Sequence, residues 1–119
     1  MRKFNNTEEE ILNILWDIGK GFPKEILAKF EQPMPYNTFL STIRKLEKEA
    51  YLAYQKFGRS HQYYPLITKK AYSRFLFKNL LSNFFGGSKE QLLSFFMEEE
   101  NIDPEEIETL LENFKKDKS

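Results

Sequence analysis

Apolar residues recur at helical spacing along most of this chain, and the pattern is interrupted once by a short aromatic hairpin-like stretch. Ile11, Leu12, Ile14, Leu15 and Ile18 predict a first amphipathic helix with Trp16 as a large anchor. Thr7-Glu8-Glu9-Glu10 opens it. Thr7 is expected to accept a hydrogen bond from the third helical amide and Glu10 to return one, and the glutamates suit the positive end of the helix dipole. Gly19-Lys20-Gly21 ends the helix. Phe22-Pro23 begins a second, with Ile26, Leu27 and Phe30 inward. Glu31-Gln32-Pro33-Met34-Pro35 breaks it, because the residue before a proline disfavours the helical conformation.

The third helix is predicted over about 36–50. Phe39, Ile43 and Leu46 bury one face, while Asn37, Thr38, Ser41, Thr42 and Lys45 stand opposite. Aromatic strands follow at 51–57 and 62–66, around a Gly58-Arg59-Ser60 tip, with Pro65 near the strand end where a missing amide does least harm. From Thr68 the pattern becomes helical again. Tyr72, Phe75, Leu76, Leu80, Phe84 and Phe85 form a wide aromatic stripe that Gly86-Gly87 stops. Ser88 and Gln91 read as a further capping box before a short helix with Leu92, Leu93, Phe95, Phe96 and Met97. Asp103-Pro104-Glu105-Glu106 starts the last helix, lined by Ile107, Leu110, Leu111 and Phe114 and closed by Lys115, Lys116 and Lys118.

A helix with small polar groups outward, set behind a turn and followed by a basic-tipped hairpin, is what a winged helix-turn-helix presents to DNA. The expected fold is therefore mainly α with a small β-wing. A winged helix-turn-helix domain occupies 1–68 and a helical dimerisation region 69–119. A region of about 50 residues buries little by itself. Either it folds back into one larger monomeric core or it pairs with a second copy, and the second alternative is favoured. Two copies would set two reading helices about one DNA turn (~34 Å) or a multiple apart.

Charge sharpens this picture. The whole chain is neutral, yet residues 1–70 carry 12 basic against 8 acidic side chains and residues 71–119 carry 6 against 10. Segment 32–70 alone has seven cations against Glu47 and Glu49. Phosphate binding needs such a local positive potential, although a solvated basic surface has the same composition. The chain has no cysteine, which excludes disulfides, thiolate metal sites and thiol nucleophiles and fits a reducing cytoplasm. No apolar run approaches the ~20 residues needed to span a bilayer, and Met1-Arg2-Lys3-Phe4-Asn5-Asn6 lacks a signal-peptide core, so a cytoplasmic location without direct membrane association is expected.

Tyr36, Asn37 and Thr38 at the helix start are candidates for phosphates and base edges, and Ser41, Thr42 and Lys45 lie deeper. Arg59 at the hairpin tip is a candidate for the DNA backbone or minor groove, and His61 for a phosphate. Each has a plainer reading as a solvated face or turn. Lys48 and Lys56 read equally well as surface cations. One histidine cannot build a zinc site, and Glu98-Glu99-Glu100 reads as a solvated helix end, so no metal or cofactor is expected. An enzyme is disfavoured by the single His, the missing Cys and the absence of a glycine-rich phosphate loop or nucleophile elbow. The rival to DNA binding is a winged-helix protein-interaction module.

Four segments in order, Glu9-Glu10-Ile11-Leu12-Asn13-Ile14-Leu15-Trp16, Thr38-Phe39-Leu40-Ser41-Thr42-Ile43-Arg44-Lys45-Leu46-Glu47-Lys48, Gly58-Arg59-Ser60-His61-Gln62-Tyr63-Tyr64-Pro65 and Phe85-Gly86-Gly87-Ser88, give the chain a further likeness. It resembles the penicillinase-repressor (BlaI/MecI) family of winged helix-turn-helix regulators over nearly its whole length. The resemblance implies a homodimeric repressor on a palindromic operator that controls β-lactamase or related resistance genes. It implies a dimer interface in the C-terminal helices, onto which Tyr72, Phe75, Leu76, Leu80, Phe84, Phe95, Phe96, Ile107, Leu110, Leu111 and Phe114 map. It also implies, as a partner, a membrane sensor with a metalloprotease domain and release by cleavage in the C-terminal region. Three positions depart from the family pattern. Glu49-Ala50 stands where a Lys-Gly pair usually closes the recognition helix. Phe95-Phe96 stands where the cleaved bond is Asn-Phe. The cysteine cluster of copper-responsive relatives is absent.

Overall fold

The computed structural model describes residues 1–118; Ser119, the last residue of the expected C-terminal region, lies outside them. The elements are α1 (Asn6–Ile18), α2 (Pro23–Ala28), α3 (Tyr36–Lys48), β1 (Leu52–Phe57), β2 (Ser60–Pro65), α4 (Lys69–Phe85), α5 (Lys89–Glu99) and α6 (Pro104–Lys118). They divide into two compact units, Met1–Leu76 and Phe77–Ser119, with the division inside α4.

The first unit is built on the helical stripes. Ile11, Leu12 and Leu15 of α1, Ile26 of α2, and Phe39, Ile43 and Leu46 of α3 are fully buried together with Leu52. Each contributes roughly 1.5–3 kcal/mol by leaving water. Phe30, just beyond α2, packs edge-on against Phe39 with ring centroids 5.4 Å apart. The Trp16 indole N–H donates to the Ile67 carbonyl at 2.9 Å, which seats this large ring at the edge of the core.

The cap of α1 differs from expectation. Asn5, not Thr7, precedes the helix: its side chain accepts from the Glu8 amide and the Glu8 carboxylate accepts from the Asn5 amide, both at 2.8 Å. The box is displaced by two residues: Glu8 also pairs with Arg2, while the Glu10 carboxylate accepts from the Glu31 amide at 3.0 Å. At the start of α5 only half of the expected box forms, as Ser88 accepts from Gln91 at 3.1 Å. Asp103 caps α6 by accepting from the Glu106 amide at 2.9 Å.

Helix α3 stops at Lys48, two residues short of expectation, and Ala50 takes φ 67. A left-handed conformation is costly for a residue with a Cβ, and it is the turn by which the chain enters β1. The hairpin is antiparallel, with Leu52 opposite Pro65, Tyr54 opposite Tyr63 and Phe57 opposite Ser60. Ser60 is thus in the strand rather than the tip, and the loop shrinks to Gly58-Arg59. Gly58 lies at φ 60, as the first residue of a type II′ hairpin loop requires. Gly21 forms a single antiparallel bridge to β2 by exchanging backbone hydrogen bonds with Tyr63 at 2.9 and 2.8 Å. A Cβ at Gly21 would meet Ile18 Cδ1 at 3.0 Å and Ile26 Cγ1 at 3.2 Å, so a larger residue there makes these side chains shift by a few tenths of an ångström.

Tyr72 belongs to the first unit's core. It is 4% exposed, accepts from the Phe4 amide at 3.0 Å and donates to Glu9 at 2.6 Å. That corrects its assignment to a dimer interface, since its ring and hydroxyl are both committed within the chain. Phe75 and Leu76 are partly buried against the same core. In the second unit neither α5 nor α6 has a buried residue. Phe85 and Phe95 pack at 5.3 Å, but Leu80, Phe84, Phe96, Leu110, Leu111 and Phe114 are exposed, Phe84 at 77%. No helix among the described residues is long and apolar enough to cross a membrane.

Candidate nucleic-acid interface

Pro33 and Pro35 end the preceding segment and leave Pro35 as the N-cap of α3, with no side chain bonded to the first-turn amides. Those amides point outward with the positive end of the helix dipole, as phosphate binding requires. Behind them the buried positions Phe39, Ile43 and Leu46 fix which face of α3 turns outward. Asn37, Ser41, Arg44 and Lys48 follow one another at three- and four-residue steps and form one exposed ridge.

A groove of about 680 Å³ runs between this helix and the wing. Tyr36, Leu40, Arg44, Glu47 and Lys48 line it from α3, Phe22, Pro23 and Lys24 from the start of α2, and Arg59, Ser60, His61 and Tyr63 from the wing. Four cations therefore face one carboxylate. Among the described residues Arg44, Lys48 and Arg59 form no ion pair, so their charge is available to a partner. Burial pushes the Tyr63 phenol above its ordinary value, which keeps it neutral beneath the cations. His61 stacks on Tyr54 with centroids 4.0 Å apart and planes 5° apart, and this contact stiffens the wing.

Five of the expected residues are found on the ridge or in the groove: Tyr36, Asn37, Ser41, Arg59 and His61. Thr38 is exposed on the neighbouring strip of α3 that continues through Thr42 and Lys45. Thr42 is half-buried, and its hydroxyl donates back to the Thr38 carbonyl at 3.3 Å. Lys45 is not brought to the groove. It leans toward α1, with Nζ 3.7 Å from the Glu8 carboxylate. Arg44 and Lys48 line the groove instead. The 3.6-residue repeat from Asn37 was the signal that could have selected them, since it passes through Arg44 and Lys48 and misses Lys45. Lys24 had no local signal, because only packing of α2 beside the wing brings it there. Among the described residues no group of three or more His, Asp or Glu is placed to hold a metal ion.

Three helices, an exposed polar ridge on the third, and a two-stranded wing tipped with arginine define a winged helix-turn-helix fold. The penicillinase repressor family model matches residues 4–116, and the chain belongs to that family. It is similar to the methicillin resistance regulatory protein MecI of Staphylococcus aureus (strain N315), with 24% identity over 110 residues, 91% of this chain and 89% of the relative. It is also similar to the penicillinase repressor of Bacillus licheniformis, at 22% identity over 91% of this chain and 86% of the relative. Among solved structures, NMB1585, a MarR family regulator from Neisseria meningitidis, matches with a TM-score of 0.49 and 18% identity, covering 92% of this chain and 81% of that one.

Proposed function

We propose that this chain is a sequence-specific repressor that acts as a homodimer on a palindromic operator. The observation that supports this most is the exposed ridge Asn37, Ser41, Arg44, Lys48 beside a groove in which, among the described residues, Arg44, Lys48 and Arg59 form no ion pair. In this reading α3 lies in the major groove. Arg44 or Lys48 reaches guanine O6/N7 or phosphate, Asn37 and Ser41 contact base edges, and Tyr36 and Thr38 hold phosphates with the first-turn amides. Arg59 and His61 engage the flanking backbone from the wing. Residues 1–68 form the reading domain and residues 69–119 carry dimerisation.

Dimerisation is supported by the apolar side chains that the second unit leaves exposed, Leu80, Phe84, Phe96, Leu110, Leu111 and Phe114. A unit with no buried residue in α5 or α6 and this many exposed large apolar side chains is what a protein partner would cover. A bound dimer blocks transcription sterically. By analogy with the named relatives, the regulated genes are a β-lactamase or related resistance determinants, and the protein works in the cytoplasm. Release would follow cleavage in the C-terminal region by a membrane sensor metalloprotease, with a bond other than Asn-Phe because Phe95-Phe96 occupies that place.

The test is a titration on DNA from just upstream of this protein's own gene, against random DNA of equal length, at two salt concentrations. Preference of about 10³-fold or more for the upstream fragment establishes specific autoregulation. Equal, weak, salt-sensitive binding places the operator elsewhere. Binding to neither favours the interaction-module alternative.

A further inference from the structure

We propose that Arg2 is a positioning residue for the recognition helix, clamping the end of α3 to the start of α1 and so sharpening operator specificity; the inference rests on the repressor reading above. Arg2 lies outside every helix and strand, yet its guanidinium joins two carboxylates that are 41 positions apart in sequence. It donates to both oxygens of Glu8, at 2.9 and 2.6 Å, and to both oxygens of Glu49, at 2.8 and 3.0 Å. Glu8 is the buried N3 residue of α1, and Glu49 is the C-cap of α3. The guanidinium also lies 5.0 Å from the centre of the Phe4 ring and 5.8 Å from that of Tyr51.

The clamp sits where α3 is least secured by its own sequence. The residue after Glu49 is Ala50 at φ 67, a turn that a non-glycine residue holds only if its surroundings over-determine it. Arg2 fixes the residue before that turn, and its stacking on Tyr51 fixes the residue after it. Phe4 completes the arm: its amide donates to the Tyr72 hydroxyl, which ties the same segment to α4. Base readout tolerates errors of about half an ångström and 10–20° in the reading side chains. A helix whose C-terminal end is held by two charge-assisted hydrogen bonds, from a guanidinium that two more anchor to α1, keeps Arg44 and Lys48, in its last turns, within such limits.

Glu49→Ala tests this, because electrostatics and positioning change different quantities. Removing a carboxylate beside a basic surface raises affinity for any DNA. Loss of the clamp instead lowers specificity, and we expect the ratio of operator to random-DNA affinity to fall roughly three- to ten-fold. Arg2→Ala should lower the same ratio, and the double variant should add little to either single change. Hydrogen exchange supplies a readout without DNA. In Glu49→Ala the amides of Ala50 and Tyr51, bonded to the Glu47 and Leu46 carbonyls, should lose protection while those of Leu12 and Leu15 keep it. An unchanged specificity ratio, or uniform loss of protection across the core, overturns the proposal. A wild-type ratio near one would instead overturn the repressor reading, and the exchange experiment would then decide the clamp by itself.

Discussion

Glu8→Gln removes one charge and almost nothing else. Glutamine still accepts from the Asn5 amide, so the capping box survives. What disappears is the ion pair with Arg2 at 2.6 Å and the longer one with Lys45 at 3.7 Å. Arg2, chiefly through its hydrogen bonds and against the opposing effect of burial, holds the Glu8 carboxyl down to about 2 from an ordinary 4.5; the Asn5 amide assists. At about 1.4 kcal/mol per pH unit this gap corresponds to about 3 kcal/mol. Arg2 is one-third exposed, and solvent screening reduces the expected loss to about 2 kcal/mol. For a unit of this size that lowers Tm by about 10 °C. The assay is urea unfolding followed by circular dichroism, at pH 7 and then downward. Glu8 titrates below its unfolded value, so its contribution is complete above about pH 5 and is lost as pH falls toward 2. The difference between wild type and Glu8→Gln should therefore shrink to less than half by pH 3. A difference below about 0.5 kcal/mol at pH 7, or one that stays constant to pH 3, would refute the argument that charge pairing stabilises this corner.

Ala50→Gly relieves a left-handed conformation and should stabilise the protein by about 1 kcal/mol despite the added freedom of the unfolded chain; a lower Tm would contradict the strain at φ 67. Arg44→Ala should weaken operator binding by about 1–3 kcal/mol, and more than Lys45→Ala, as measured by titration at fixed salt; the reverse order would return the reading role to Lys45. Phe84→Asp places a charge on a side chain that is 77% exposed in the single chain, so the fold should persist while sedimentation shows a monomer; a dimer of native mass would move the interface elsewhere.

Element type and order were legible in the chain because they rest on local repeats. The 3.6-residue spacing of Ile11, Leu12 and Leu15 or of Phe39, Ile43 and Leu46 identifies a buried face without knowledge of what covers it. The same holds for the Pro-rich turn before α3, the glycine of the hairpin loop, the Asp103-Pro104 start of α6 and the aromatic excess of the C-terminal helices. The family likeness was legible as well, since it depends on the order and spacing of short segments.

Only the tertiary structure decided which of several equivalent residues is used. Thr7 and Asn5 are both good caps, and the choice fell to the one whose partner, Glu8, also meets Arg2. Tyr72 and Phe84 lie on the same aromatic stripe, yet the first is enclosed by Phe4 and Trp16 while the second is left outside. Arg44 and Lys45 are adjacent cations, but one residue is about 100° of rotation on a helix, enough to send one to the groove and the other toward α1. Arg2 and Glu49 carry no mutual signal at all, because their pairing exists only once α1 and α3 have packed. Local periodicity reports that a face is buried or exposed; which neighbour it meets depends on how distant segments pack, and no short window of sequence contains that.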